Sequence, residues 1–256
     1  MELQNKVAVI TGGASGLGEA TVRRFTAQGA KVAIFDMNDE RGNAIAKELG
    51  DTVIYQNVNV TSPESAEAGV AATLEAFGSI HICCNYAGIS YPTKTVGRDG
   101  PCELDAFINI VNVNLIGTFN IVRLVAAQMC KNDPVTEDGG RGVIINTASI
   151  AAYEGQVGQA AYSASKGGIV GMTLPIARDL ARNGIRVNTI VPGLIHTPLF
   201  DTLPEELFNS LESSVLCPPR LGAPDEIAHL AQYLVENDYM NGECVRMDGG
   251  IRMQPR

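Results

Sequence analysis

The chain has 256 residues, of which 45% are hydrophobic and 18% are charged, and these values fit one globular protein with a sizeable core. Its formal net charge is -9, and this acidic balance argues against a nucleic-acid partner. The six cysteines form no CxxC pair and the three histidines lie far apart, so we expect reduced thiols and no metal site.

The first residues of the sequence resemble neither a secretory nor a mitochondrial leader. No uninterrupted apolar run approaches the roughly 18 residues that a membrane span needs. The sequence therefore predicts a cytoplasmic protein without a membrane partner.

Short β-rich runs alternate with longer helical stretches along the whole sequence. The seven candidate strands are residues 7–10, 31–35, 53–56, 80–84, 142–146, 185–190 and 242–246. Several are continuous apolar runs, as expected for parallel strands that are covered on both faces. We therefore predict one α/β domain over residues 1–256, a Rossmann-type doubly wound parallel sheet of about seven strands with helices on both faces.

The first predicted strand runs directly into the glycine-rich turn 11–18, and a helical stretch follows. Glycines at 12, 16 and 18 permit a tight turn and let the backbone approach a pyrophosphate. The free N–H groups at the start of the following helix favour an anion at the same place. This arrangement predicts that the turn binds a dinucleotide.

Asp36 follows the second predicted strand. A carboxylate at this position can accept hydrogen bonds from the adenosine ribose and would repel a 2′-phosphate. No Lys or Arg lies within the glycine turn to favour that phosphate. The sequence therefore predicts NAD rather than NADP.

Tyr162 and Lys166 are four residues apart at the start of a helical stretch, so they share one helix face. A free phenol has a pKa of about 10, and lowering it to about 7 requires roughly 4 kcal/mol, which a fixed ammonium group can help to supply. Ser149 follows the fifth predicted strand, at the edge where open α/β sheets bind ligands. Asn114 lies within a predicted helix. The set predicts hydride transfer between a nicotinamide and a secondary alcohol or ketone, with Tyr162 as acid and base.

The segment 194–222 is predicted to be a long irregular lid, because it is rich in proline and acidic residues. Its apolar side chains suit a fatty acyl chain or a steroid equally well; they are Leu194, Ile195, Leu199, Phe200, Leu203, Leu207, Phe208, Leu211, Val215 and Leu216. Basic groups that could hold the phosphates of a CoA thioester near the mouth of the site are Lys94, Arg98 and Arg220, and they are opposed by Glu205, Glu206 and Glu212.

The motifs together resemble the short-chain dehydrogenase/reductase family, in order and over essentially the full chain. They are Thr11-Gly12-(x)3-Gly16-x-Gly18, Asn85-Tyr86-Ala87-Gly88, Asn114, Ser149, Tyr162-(x)3-Lys166 and Pro192-Gly193. Segments 141–149, 154–162, 172–180 and 247–253 are most similar to a branch of that family whose members oxidise 3-hydroxyacyl-CoA thioesters and 17β-hydroxysteroids.

This resemblance implies roles for the site residues. Tyr162 would be the general base in oxidation, with its pKa lowered by Lys166, which also binds the nicotinamide ribose. Ser149 would polarise the substrate carbonyl, and Asn114 would hold a water molecule in a proton relay. The implied NAD-binding residues are Gly12, Ser15, Gly16, Leu17, Gly18, Asp36, Asn59, Val60, Asn85, Ala87, Gly88, Tyr162, Lys166, Pro192, Gly193 and Thr197, the last at the carboxamide. The implied substrate-binding residues are Ser149, Gln159 and Tyr162, and the implied assembly is a homotetramer with the Asn114 and Tyr162 helices in one interface.

The sequence departs from the family pattern at two positions. Tyr86 stands where Asn or Cys is usual, which predicts a bulkier side chain near the nicotinamide. Asn59 stands where an Asp usually binds adenine, and its amide oxygen can still accept a hydrogen bond.

Three hypotheses follow. The first is an NAD-dependent dehydrogenase acting on a 3-hydroxyacyl-CoA or a hydroxysteroid. The second is a 3-oxoacyl-carrier-protein reductase, which normally prefers NADPH and is therefore opposed by Asp36. The third is a catalytically idle NAD-binding sensor or scaffold, which has no need of the complete set of Asn114, Ser149, Tyr162 and Lys166.

Overall fold

A computed structural model describes residues 1–198 and 205–255. Seven strands form one parallel sheet in the order β3-β2-β1-β4-β5-β6-β7. Their bounds are β1 Val7–Thr11, β2 Lys31–Asp36, β3 Val53–Asn57, β4 Ile82–Asn85, β5 Gly142–Thr147, β6 Ile185–Pro192 and β7 Cys244–Met247. The predicted doubly wound parallel sheet is confirmed. The main differences in bounds are that β4 and β7 begin two residues later than expected and that β6 extends to Pro192.

Helices connect the strands on both faces of the sheet. They are α1 Gly16–Ala27, α2 Asp39–Leu49, α3 Pro63–Phe77, α4 Leu104–Val111, α5 Thr118–Met129, α6 Ala151–Glu154, α7 Ala160–Leu180, α8 Glu205–Ser213 and α9 Pro224–Glu236. A π-helical segment, Asn112–Gly117, joins α4 to α5.

The helix α8 corrects the expectation that the whole lid 194–222 is irregular. Glu205 and Glu206 occupy its first turn, where negative charge favours a helix. The predicted lid residues Leu199, Phe200 and Leu203, and the side chain of Leu207, lie outside what the structure describes.

The core has two layers, one on each face of the sheet. Ala8 and Ile10 of β1 pack with side chains of α1 and α9, whereas Val9 between them packs with side chains of α3, α5 and α7. Because alternate residues are buried on opposite faces, each central strand is apolar along most of its length and becomes polar only near its carboxyl end.

One helical run, Leu104–Met129, is long and apolar enough to cross a membrane by length and composition alone. This run contains no long uninterrupted apolar stretch, because Asn112, Asn114 and Asn120 lie within it. Half of its most apolar window is buried inside the fold, as is usual for the core helix of a globular protein. The run is therefore weak evidence for a membrane span.

The order of the strands positions the site. Strand β1 lies between β2 and β4, and the chain winds outward from β1 in opposite directions on its two sides. The crevice at the carboxyl ends of β1 and β4 is the place where such sheets bind ligands. The predicted site residues Gly12, Ala87 and Gly88 follow these two strand ends directly.

Candidate active site

The glycine-rich turn adopts a backbone that only glycine accommodates easily. Gly12 and Gly16 have φ values of +65° and +52°. A Cβ atom on Gly12 would lie 2.9 Å from the backbone nitrogen of Ala87, and one on Gly18 would lie 2.1 Å from the carbonyl oxygen of Gly12. The turn therefore packs tightly against both the loop after β4 and its own helix, and leaves the N-terminus of α1 open to an anion.

A cavity of about 480 Å³ lies over this turn. Its wall includes most of the predicted NAD-binding residues, namely Gly12, Ser15, Gly16, Leu17, Gly18, Asp36, Asn59, Val60, Ala87, Gly88 and Thr197. The residues that the sequence did not single out are Phe35, Met37, Val58, Ile89, Val113 and Pro198. Most of them are apolar, which suits contact with the flat face of a nucleobase. Their residue types alone do not distinguish them from residues of the hydrophobic core, so the sequence could not identify them.

Asp36 is held in place by the backbone around it. Its Oδ2 accepts a hydrogen bond from the Ala14 N–H at 3.0 Å, and its Oδ1 accepts one from the Asn38 N–H at 3.0 Å. The carboxylate therefore lies at the rim of the cavity in a fixed orientation, where a ribose hydroxyl could donate to it.

Asn59 lies in a turn that uses its side-chain oxygen. This oxygen accepts hydrogen bonds from both the N–H and the hydroxyl of Thr61, at 3.0 Å and 2.7 Å. A carbonyl oxygen has two lone pairs, so both are already used within the turn, and the predicted bond to adenine stays a prediction. Asn59 lies on the cavity wall, but its oxygen stabilises the turn before α3.

Ser149, Tyr162 and Lys166 line a second cavity of about 280 Å³, together with Thr147, Pro192 and Gly193. The two cavities share five lining residues, so they form one continuous groove; the shared residues are Leu17, Tyr86, Gly88, Ile89 and Thr197. The predicted dinucleotide site and the predicted catalytic residues are thus the two ends of one groove.

Lys166 is buried and its ammonium group is anchored to the sheet. Its Nζ donates to the Thr147 carbonyl oxygen at 2.7 Å and lies 5.7 Å from the centre of the Tyr162 ring. The side chains of Tyr162 and Lys166 therefore occupy one space, as their four-residue spacing predicted.

The lowered pKa of Tyr162 stays a prediction for the site with a nicotinamide bound, because burial acts in the opposite direction. Burial raises the pKa of Tyr162 above its usual value, and the hydrogen bond with Ser149 only partly opposes this. Burial also lowers the pKa of Lys166 to about 8, so this group carries less positive charge near neutral pH than an exposed lysine does. The phenol therefore keeps its proton unless a further positive charge lies beside it.

The Asn114 side chain clamps the loop that follows β4. Its Oδ1 accepts from the Ile89 N–H at 2.8 Å, and its Nδ2 donates to the Ile89 carbonyl oxygen at 2.9 Å and to Ser165 Oγ at 3.0 Å. These bonds use both N–H groups of the amide and one lone pair of its oxygen, and they tie the π-helical segment to α7. The suggested role of Asn114 in holding a water molecule stays a prediction.

Asn85 is buried behind the groove and is not among the residues of its wall, so its role as a direct cofactor ligand stays a prediction. Thr11, Asn85 and Asn146 occupy paired positions on β1, β4 and β5. Asn85 Nδ2 donates to Asn146 Oδ1 at 2.9 Å, and Thr11 Oγ1 accepts from the N–H groups of Tyr86 and Ala87 at 3.1 Å. This row of buried polar side chains sets the shape of the loop that forms the groove wall.

Gln159 also lies outside the catalytic cavity. Its Oε1 accepts from the Gln156 N–H at 2.9 Å, and it lines a neighbouring open depression together with Lys94 and Ser163. The predicted substrate contact is therefore placed beside Ser149 and Tyr162 but not among the residues of their cavity.

Two contacts at the site were not anticipated. The hydroxyl groups of Tyr86 and Thr21 lie 2.9 Å apart, so the unusual tyrosine is hydrogen-bonded to α1 under the glycine turn. The ring of His196 packs edge-on against Phe208 of α8, with 5.5 Å between the ring centres. His196 thus contacts the lid helix, one residue before Thr197 of the groove wall.

Comparison with known proteins gives matches over nearly the full chain. A family model described as short chain dehydrogenase matches residues 6–207. The 3-hydroxyacyl-CoA dehydrogenase type-2 of Rattus norvegicus is 55% identical over 251 residues, covering 97% of this chain and 96% of its own. That of Homo sapiens is 54% identical with the same coverage. A 3-alpha-(or 20-beta)-hydroxysteroid dehydrogenase of Mycobacterium tuberculosis is 38% identical over 250 residues, covering 97% of this chain and 90% of its own.

A solved structure gives the same result. The crystal structure of 3-hydroxyacyl-CoA dehydrogenase type-2 from Mycobacterium avium aligns with a TM-score of 0.93 and 43% sequence identity, covering 98% of this chain and 97% of that chain. The matched residues include both ends of the groove.

Proposed function

The chain belongs to the short-chain dehydrogenase family, and from that premise we propose that it oxidises the 3-hydroxyl group of a 3-hydroxyacyl-CoA thioester with NAD. The observation that carries the proposal is the single groove that joins the glycine turn to Ser149, Tyr162 and Lys166. The choice of thioester rests on the relatives that are 54% and 55% identical and are named for that substrate.

The residues present fit a nicotinamide dinucleotide. Gly12 and Gly18 allow the tight turn and its close packing on α1, and Gly16, where α1 begins, lets the backbone approach a pyrophosphate. The fixed carboxylate of Asp36 supports NAD over NADP, because it can accept from two ribose hydroxyls and repels a 2′-phosphate. When bound, oxidised NAD would supply the hydride acceptor and a positive charge.

The chain's own groups would handle the proton. Tyr162 and Ser149 share a hydrogen bond at the wall of the second cavity, so both hydroxyls can meet the oxygen of the substrate. Because burial raises the pKa of Tyr162, the phenol stays protonated near neutral pH and carries the proton that ketone reduction needs. In alcohol oxidation a neighbouring positive charge lowers the pKa of the phenol and makes it a base.

Lys166 would orient the reacting groups rather than act on them alone. Its anchor to the Thr147 carbonyl holds the ammonium below the Tyr162 ring. The Thr147 hydroxyl beside it is buried, and no hydrogen-bond partner for it occurs among the described residues. Thr147 is one of the residues around the catalytic cavity, but its hydroxyl is covered by the surrounding side chains.

The basic groups near the mouth differ in availability. Arg220 makes a bidentate ion pair with Glu226, at 2.8 Å and 2.9 Å, so its guanidinium already has an anionic partner. Lys94 and Arg98 lie exposed on the loop after β4. We infer that these two, rather than Arg220, would meet the phosphates of CoA.

Hydroxysteroid oxidation is the second candidate, and the relative from Mycobacterium tuberculosis supports it. A carrier-protein reductase is disfavoured by Asp36, and an idle sensor by the complete catalytic set. We also propose a homotetramer, because large apolar side chains remain exposed along the α4–α5 run and on α7; they are Leu104, Phe107, Ile108, Ile116, Phe119 and Leu174.

The test is NAD reduction, followed by NADH absorbance, with 3-hydroxybutyryl-CoA and a 17β-hydroxysteroid compared at equal enzyme concentration. We expect kcat/KM to be much higher on the thioester, and NADP to be a poor replacement for NAD. Activity confined to the steroid would overturn the thioester proposal. A preference for NADP would instead favour the carrier-protein reductase.

A further inference from the structure

Arg41, in the first turn of α2, reaches across to the glycine-rich turn. Its Nε donates to the Ala14 carbonyl oxygen at 2.8 Å, and its Nη2 pairs with Glu19 Oε2 at 2.8 Å. Glu19 also pairs with Arg23, at 3.0 Å. The Arg41 side chain is half-exposed, so the guanidinium lies at the protein surface beside the glycine-rich turn rather than inside the core.

Asp36 and Arg41 hold the same residue from opposite sides. The Ala14 N–H donates to Asp36, while the Ala14 carbonyl accepts from Arg41. Asp36 lines the groove, and Arg41, which is not among the residues of its wall, is fixed on the other side of Ala14. Because Arg41 belongs to α2, the lack of Lys and Arg within the glycine turn does not exclude a cation near the adenosine ribose.

We propose that Arg41 is a second determinant of the choice between NAD and NADP, and that it binds the 2′-phosphate of NADP once the charge of Asp36 is removed. The inference rests on the proposed binding of a nicotinamide dinucleotide in this groove. In the native chain Asp36 repels the phosphate and Glu19 partly neutralises Arg41, so NAD is preferred.

The exchange of partners is physically easy. An exposed ion pair such as that of Arg41 with Glu19 contributes little to stability, so the guanidinium can leave it at little cost. A phosphate carries more charge than a carboxylate and accepts paired hydrogen bonds from a guanidinium. Arg41 would therefore favour a 2′-phosphate that Asp36 did not oppose.

The experiment is a fluorescence titration of NADH and NADPH against the wild-type protein and its variants at one fixed salt concentration. Asp36→Ala should bind NADPH more tightly than wild type does. Adding Arg41→Ala to Asp36→Ala should then weaken NADPH binding about tenfold, the size expected for losing a charged hydrogen bond, and change NADH binding less than about twofold.

Arg23→Ala in the same background is the matched control. It removes the same charge and also contacts Glu19, but it lies on α1 and pairs with Glu48 as well. It should leave the ratio of NADPH to NADH affinity unchanged. Glu19→Gln should raise the NADPH affinity of Asp36→Ala, because it releases Arg41.

Equal losses of NADH and NADPH affinity on Arg41→Ala would overturn the proposal, since they would show that Arg41 only holds the glycine turn. No loss of either would overturn it as well. If Asp36→Ala does not fold, Asp36→Asn keeps an oxygen for the Ala14 N–H and replaces it as the background. Failure of the proposed function is distinguishable, because wild-type protein would then bind neither nucleotide or would prefer NADPH.

Discussion

The two edges of the sheet use polar side chains in different ways. At the amino edge, side chains are paired with the backbone: Arg186 of β6 donates to the carbonyl oxygens of Leu234, Val235 and Met240 at 2.7 Å to 2.9 Å. At the carboxyl edge, Asn146 Nδ2 and Thr147 Oγ1 are buried, and the described part of the chain offers them no hydrogen-bond partner.

This difference separates residues whose polar groups are hydrogen-bonded within the fold from residues whose polar groups have no partner there. A buried polar group without a partner is unfavourable, so a fold keeps it only where something else satisfies it or where it has a task. We therefore expect substitutions of the catalytic side chains at the carboxyl edge to reduce activity at nearly constant stability, and substitutions of paired side chains at the amino edge to reduce stability at nearly constant activity.

Tyr162→Phe is the sharpest test at the carboxyl edge and has the largest expected effect. It removes one hydroxyl from the proposed acid and base, so we expect kcat to fall by about 10³, within the range for general acid–base catalysis. The affinity for NADH and the melting temperature should change little. Steady-state NADH absorbance and thermal unfolding measure the two effects.

Tyr239→Phe is its control, because Tyr239 is fully exposed and should tolerate the change without loss. Retention of most of the rate by Tyr162→Phe would remove this residue from its catalytic role. A large drop in melting temperature would instead mean that the carboxyl edge also stabilises the fold.

Arg186→Met tests the amino edge. The substitution removes the Arg186 donor from the carbonyls of Leu234 and Val235, while the Met240 carbonyl keeps a bond from Asn188, so we expect the free energy of unfolding to fall by about 3 kcal/mol. Urea denaturation measures this loss, and kcat/KM per folded molecule should stay close to that of wild type. Arg182→Met, at an exposed position on the turn before β6, should change neither.

A fall in kcat/KM for Arg186→Met at unchanged stability would contradict the separation of the edges. Strand β6 joins Arg186 at one edge to Pro192 at the other, so it is the most direct path by which such coupling could travel.

The sequence predicted which residues lie at the carboxyl edge better than it predicted the hydrogen bonds and pKa values of their side chains. Strand positions and the glycine turn follow from local patterns, because apolar runs and glycine spacing reflect burial and backbone conformation directly. Tyr162 and Lys166 were placed together correctly because helical spacing alone fixes their shared face.

Other roles depend on long-range partners that no local pattern contains. Asn85 turns out to bond Asn146, and the Asn59 oxygen to bond Thr61. Burial of Tyr162 and Lys166 changes the pKa of both, and burial becomes known only when the chain is folded.

Gly18→Ala tests the carboxyl edge through the backbone of the glycine turn rather than through a catalytic side chain. The added methyl group would lie 2.1 Å from the Gly12 carbonyl oxygen, so the turn must move. We expect NADH affinity to fall at least about tenfold and the free energy of unfolding to fall by about 2 kcal/mol, in the range for overpacking. Fluorescence titration and urea denaturation measure the two changes.

Gly171→Ala is the matched control, because nothing lies within 4 Å of the added methyl group. It lies inside α7 and should gain about 0.5 to 1 kcal/mol of stability from the lower flexibility of alanine. Wild-type NADH affinity in Gly18→Ala would show that the glycine turn does not form the dinucleotide site.

His81, just before β4, gives the smallest expected effect and a pH dependence that belongs to the amino edge. Its Nδ1 accepts from the Val7 N–H at 3.2 Å, and burial, followed by the charge of Lys6, lowers its pKa to about 4. An unfolded histidine has a pKa of about 6.5, so between these values the unfolded chain binds more protons than the folded one. The contribution of His81 to stability is therefore complete above about pH 6.5 and decreases as the pH falls towards 4.

Urea denaturation across this range should give a steeper loss of stability for wild type than for His81→Asn, whereas His229→Asn, at an exposed position, should follow wild type. Identical pH profiles for wild type and His81→Asn would show that the imidazole is equally protonated in the folded and unfolded chains, and the amino edge would then lack the buried neutral histidine that the geometry assigns to it.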